Sequence, residues 1–233
     1  LFFLEGNEVF TVMPRDDFMS IYRDAVNEDY ATTSRQVYLR DYVPMPVSLL
    51  NTRRIGGTAN QVDVAADVTP DRGQRDVPTD LIGAAKVTGS AGDFRYGMLA
   101  AVENDVNWIG SDSLGAAVDI ESPGRDFAVA RLTYENIGRT RRSLGYMGTF
   151  VGGPIYDAAV HSIDAHYGAG SGKLKADVQL ISSDRADIQG YGGMFDVTYA
   201  QANGLRHKFE VDYMDENVNF NDLGFLLRNN YGR

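Results

Sequence analysis

From about Asp80 to the end of the chain, apolar and polar residues alternate in segments of 9 to 12 residues, separated by short runs of Gly, Asp, Asn or Ser. A period of two puts successive side chains on opposite faces of an extended strand, whereas a helix would repeat near 3.6. Leu174, Ala176, Val178 and Leu180 share one face, with Lys175, Asp177 and Gln179 on the other. Phe195, Val197 and Tyr199 repeat the pattern, as do Phe209, Val211 and Tyr213, and Ala128, Ala130, Leu132 and Tyr134. Leu144, Tyr146, Gly148 and Phe150, then Ile163, Ala165 and Tyr167, supply two further apolar faces. About eight or nine such strands fit into residues 80–233. The fold class is therefore all-β, an antiparallel up-and-down meander.

Strand length narrows the class. Strands of soluble proteins average about 5–6 residues, while a strand crossing a bilayer at a tilt needs roughly 9–11. The turns Ser90-Ala-Gly-Asp93, Ile137-Gly-Arg-Thr140, Gly168-Ala-Gly-Ser-Gly172 and Asn203-Gly204 are tight, and the longer links Trp108–Arg125, Gly153–Asp157 and Asp184–Gly190 fall between them. Tight turns on one rim and longer loops on the other characterise outer-membrane barrels. Trp108, Tyr134, Phe150, Tyr167, Tyr191, Tyr199 and Tyr213 lie near strand ends, where an interfacial aromatic girdle would sit. Together these features predict part of a transmembrane outer-membrane β-barrel. A soluble β-sandwich or lipocalin-like barrel shares the alternation but buries its apolar face.

Residues 1–79 read differently. Pro14, Pro44, Pro46, Pro70 and Pro78 interrupt them, a short helix is predicted near Asp16–Val26, and the polar run Gly57–Thr79 reads as a loop. This part is expected to form an irregular, plug-like entry to the barrel. No stretch reaches the roughly 20 apolar residues of a membrane helix, but barrel strands give only a weak hydropathy signal. A net charge of −10 argues against nucleic acid as a partner. With Cys 0 there is neither a disulfide framework nor a thiolate metal site. The opening Leu1-Phe-Phe-Leu-Glu-Gly6 and the absence of a signal peptide suggest that both ends are cuts.

Three constellations invite chemistry. Gly168-Ala-Gly-Ser-Gly-Lys173 resembles a phosphate loop, but Tyr167 occupies the first Gly position and Leu174 the magnesium-binding Ser/Thr position, so a hairpin turn is expected. Ser162, Asp164 and His166 share the polar face of one strand, opposite Ile163, Ala165 and Tyr167. Neighbours two residues apart on a strand lie about 6.5–7 Å apart, too far for a nucleophile and its base, which meet at about 2.6–3.2 Å. They are expected to be a polar cluster on a barrel's inner face rather than a triad. The run Asp212, Asp215, Glu216, Asn217, Asn219 and Asp222 is rich in oxygen ligands but lacks the spacing of a calcium loop, so a solvated rim is expected. No catalytic, cofactor-binding or metal residue is assigned.

Four blocks resemble, in order, the DUF5916 family of bacterial outer-membrane proteins. They are Phe2-Phe-Leu-Glu-Gly6 with Phe10, Thr52-Arg-Arg-Ile-Gly56, Gly83-Ala-Ala-Lys-Val-Thr-Gly89, and Phe220-Asn-Asp-Leu-Gly-Phe-Leu-Leu-Arg-Asn-Asn230. The resemblance implies a bacterial outer-membrane location and a large C-terminal barrel, preceded in the family by a domain similar to carbohydrate-binding-module family 9. That domain and the later barrel strands are missing here, and residues 14–50 look like an insertion relative to the family. The charges Glu5, Arg53, Arg54 and Lys86 lie inside these blocks. Opposite charges on an inner wall and an N-terminal segment could satisfy one another as an internal ion-pair network; separately hydrated charges are the alternative. The expected partners are outer-membrane lipid and carbohydrate, and the expected role is passage or binding of glycans or small solutes. A barrel-borne hydrolase acting on lipid or polysaccharide, and a soluble β-barrel that binds a ligand, are the alternatives.

Overall fold

The computed structural model describes residues 7–12 and 47–232. Eight long antiparallel strands carry the fold: β3 (Leu81–Ala91), β4 (Phe94–Glu103), β7 (Asp126–Ile137), β8 (Arg141–Gly152), β9 (Ala158–Gly168), β10 (Leu174–Arg185), β11 (Ile188–Ala200) and β12 (Arg206–Met214). The shorter strands are β1 (Val47–Ser48), β2 (Thr69–Pro70), β5 (Val106–Ser111), β6 (Ala117–Ser122), β13 (Phe225–Leu226) and β14 (Tyr231–Gly232). A nine-stranded sheet runs in the order β14-β12-β11-β10-β9-β8-β7-β4-β3, the meander expected from the alternation. Among the described residues this sheet does not close: β3 and β14 stand at opposite ends of the order and do not pair.

The sheet has two unlike faces. Leu132, Leu144, Tyr146, Phe150, Ile163, Leu180, Phe195, Phe209 and Tyr213 are all exposed on the outer face, Leu180 by 60% and Leu144 by 57%. These are the residues that the alternation groups into apolar faces, so the face rich in large apolar side chains points outward. The inner face buries Val129, Met147, Val151, Val160, Ile181, Met194 and Met214. It also buries Arg131, Ser162, Asp164, Gln179, Ser183 and Asp212. A soluble sandwich would reverse this arrangement, because exposing so much contiguous apolar surface to water is unfavourable.

Two irregular segments cover the inner face. Phe10, Val12 and Leu49 come from before the sheet and Val218, Phe220, Leu223 and Leu226 from between β12 and β14, and all join the same core. The two segments pair directly, Val47 with Leu226 and Ser48 with Phe225, and the Asn51 amide donates to the Leu223 carbonyl at 2.7 Å. Glycines allow the close approach. A Cβ at Gly97 would lie 2.8 Å from the Phe10 ring, and one at Gly190 would overlap the backbone of Val218.

Two links depart from the sequence reading. The stretch 108–125 is more than a loop: β5 and β6 form a hairpin that pairs with β2 in a separate three-stranded sheet. Trp108 accordingly leaves the expected aromatic girdle and is buried with Val106 and Ile120 against Ala59, Val62, Val64 and Val68. The apolar residues of the polar run 57–79 thus supply a small second core. The link 184–190 shrinks to a two-residue turn, Ala186-Asp187, with φ of 54° and 63°. Positive φ at both central positions is the twist-matched hairpin turn usually signalled by Asn-Gly, a signal that Ala-Asp does not carry. The run 168–173 is a hairpin link as expected, joining β9 to β10. The helix predicted near residues 16–26 lies outside the described residues.

Candidate functional site: a charged network on the inner face

Arg131 stands on β7 between Ala130 and Leu132, which point outward. Its guanidinium reaches past β8 to Asp164 on β9, two strands away, a span of roughly 10 Å at the usual strand spacing. Gly145 makes the crossing possible. It is the β8 residue paired with Asp164, and a Cβ there would lie 2.5 Å from Arg131 Nη2. The pair is bidentate: Nη1 donates to Asp164 Oδ1 and Nη2 donates to Oδ2 at 2.9 Å. Both side chains are essentially sealed, 2% and 0% exposed.

His166 extends the chain. Its Nε2 lies 2.9 Å from Asp164 Oδ2 and its Nδ1 lies 2.7 Å from Asp177 Oδ1 on β10. Both nitrogens face carboxylate oxygens, so both must donate, which is the imidazolium form. Arg131, Asp164, His166 and Asp177 then form a neutral row of two cations and two anions across four strands. Ser162, the third member of the polar cluster read from sequence, accepts from Gln179 Nε2 at 2.9 Å and is 1% exposed. The cluster is therefore assembled, but with partners that the sequence reading missed. Ser162 has no hydrogen bond to His166, and both His166 nitrogens are engaged by carboxylates, so these two do not form a nucleophile–base pair.

Beside this row lies a cavity of about 280 Å³, lined by Arg95, Arg131, Thr133, Glu135, Arg141, Ser143, His166 and Asp177, with Val9, Thr11 and Val12 of the covering segment. Glu135 is held from two sides, by Arg141 Nε at 2.6 Å and Arg95 Nη2 at 3.4 Å. Its carboxylate is buried while both arginines are more than half exposed.

A second buried pair pins the loop region. Arg125 Nε and Nη2 each donate to Glu103 at 2.8 Å, and both side chains are 3% exposed or less. Arg125 also donates to Asn60 Oδ1 at 2.5 Å and to the Arg54 carbonyl at 3.2 Å, while Glu103 Oε1 accepts from the Gly56 amide at 2.9 Å. Of the four charges proposed as an internal network, Arg53 is exposed and Arg54 and Lys86 are half-buried; Glu5 lies outside the described residues. Among the described residues, the Glu103–Arg125 pair ties the Thr52–Gly56 stretch to the sheet, through the Arg54 carbonyl and the Gly56 amide.

The acidic run 212–222 is occupied by the fold itself. Asp215 accepts from the amides of Tyr191, Asn217 and Val218. Asp222 accepts from the Tyr156 hydroxyl at 2.9 Å and from Arg185 Nε at 2.8 Å. Burial, reinforced by the Asp222 carboxylate, holds the Tyr156 phenol above its ordinary range, so it remains a donor. Among the described residues no group of three or more His, Asp or Glu is placed to hold a metal ion.

Comparison of this chain with protein-family models, with characterised proteins and with solved structures finds no match.

Proposed function

We propose that this chain forms part of the wall of an outer-membrane β-barrel, with its outer face against lipid and its inner face lining a path or binding site for small solutes or glycans. One observation carries this reading: strands of 9 to 13 residues expose their large apolar side chains on one face, while the other face buries arginine, aspartate and histidine in hydrogen-bonded networks. Lipid is the solvent that makes such a face favourable, and the length suits a tilted crossing of the bilayer. The resemblance to the DUF5916 family points the same way. Among the described residues the edge of β3 is unpaired, which fits a wall that further strands complete, since an unpaired edge cannot stand in hydrocarbon.

The test uses the full-length protein. Outer-membrane fractionation and a gel mobility that changes on boiling are the expected results. A detergent-independent protein with unchanged mobility would overturn the reading. A substitution sharpens it: Leu180→Arg places a charge on the outer face and is expected to destabilise the folded protein by up to about 2–4 kcal/mol, depending on depth. Equilibrium unfolding in detergent or lipid measures this. A cost near zero, as for an arginine on a water-facing surface, would count against lipid contact.

A further inference from the structure

We infer that the inner-face cavity beside Arg131 is a binding site for a small oxyanion, a phosphate or carboxylate group borne by a solute. The inference rests on the reading of this face as the solute-facing side. The argument comes from the balance of donors and acceptors. Glu135 is occupied by two arginines, both oxygens of Asp164 are taken by Arg131 and His166, and Asp177 receives His166. The carboxylates around the cavity are thus already engaged.

The donors are in excess. An arginine carries five N–H donors in a fixed fork. Arg95 and Arg141 each spend one nitrogen on Glu135 and are 57% and 65% exposed. Arg131 itself is spent on Asp164, so the spare donors are those of Arg95 and Arg141. Thr133 and Ser143 add hydroxyls. Among the described residues, with the Arg131–Asp164–His166–Asp177 row neutral, Glu135 between two arginines leaves one net positive charge at the cavity, in a chain whose overall charge is −10. Spare guanidinium forks and one surplus positive charge are complementary to phosphate or carboxylate, which arginine recognises by paired charge-assisted hydrogen bonds. The volume of about 280 Å³ falls below the roughly 300–1,000 Å³ of sites for drug-sized ligands, so the ligand is small.

The experiment is calorimetric titration of the full-length protein with inorganic phosphate, with citrate, and with glucose as an uncharged comparison. Binding of phosphate or citrate but not glucose is expected; phosphate against citrate distinguishes the two anion classes. Two substitutions should move affinity in opposite directions. Arg141→Gln removes a fork and should weaken anion binding roughly tenfold, the usual effect of one charge-assisted hydrogen bond. Glu135→Gln removes the competing carboxylate and should tighten it. General destabilisation would weaken binding in both, and that result, or no anion binding by the unaltered protein, overturns the inference. The titration does not require a bilayer, so a protein that proves soluble yet binds phosphate would defeat the membrane reading and leave the site standing.

Discussion

Replacing Asp164 with alanine is expected to cost about 3–5 kcal/mol of folding stability, because it leaves the Arg131 guanidinium charged, buried and without its carboxylate. Arg131 is 2% exposed, with Gly145 close against its guanidinium, so the cation would stay largely out of water once its carboxylate is gone. His166 loses one of its two carboxylates at the same time. The effect should belong to the unpaired charge and not to the missing atoms. The double variant Arg131→Met with Asp164→Leu removes both charges and should recover most of the loss, since well-packed apolar side chains commonly replace a buried pair at little cost. Denaturant unfolding of the single and double variants measures the difference. A double variant no more stable than Asp164→Ala would show that the pair's geometry, and not its charge balance, is what the sheet requires.

Arg125→Ala is expected to have an effect of similar size, about 3–5 kcal/mol, through the converse fault: Glu103 remains as a buried carboxylate with only the Gly56 amide to satisfy it. Here the consequence should also be local. Arg125 is the donor that holds Asn60 and the Arg54 carbonyl, so its loss should release the stretch from residue 54 to 61. Arg53 and Arg54 make that stretch a trypsin target, and cleavage there should accelerate in Arg125→Ala while remaining slow in Asp164→Ala. Equal cleavage in the two variants would mean that Arg125 does not anchor the loop.

The meander was legible because it depends on parity alone. Ile163 and Tyr167 point outward while Ser162 and Asp164 are buried within, and alternation along one strand suffices to say so. The partners of Asp164 were not legible, because they depend on register across strands. Arg131 reaches Asp164 only because Gly145 falls at the crossing, and nothing in the local sequence of β7 announces a neighbour on β9. The inward parity of a lone arginine between Ala130 and Leu132 was the available clue. Trp108 was misread for a related reason. Its place near a strand end suggested an interface, but the hairpin of β5 and β6 turns it onto Val62, Val64 and Val68, residues of a run that reads as polar. Ala186-Asp187 hid its turn because those residue types adopt positive φ less readily than Asn-Gly, so the link read as long.

The pairing of β1 with β13 has a kinetic consequence. Val47 and Leu226 are separated by nearly the whole described sequence, so making this contact before the strands between them would close a long loop with little yet gained to offset its entropy. Contacts of such separation slow folding far more than they weaken the final state, because closing a long loop costs only logarithmically more than closing a short one. The large sheet, by contrast, grows mostly by pairing strands that follow one another in the chain. The order of events should therefore be sheet first and interior last, with a transient species whose strands are protected from hydrogen exchange while the amide of Asn51 still exchanges freely.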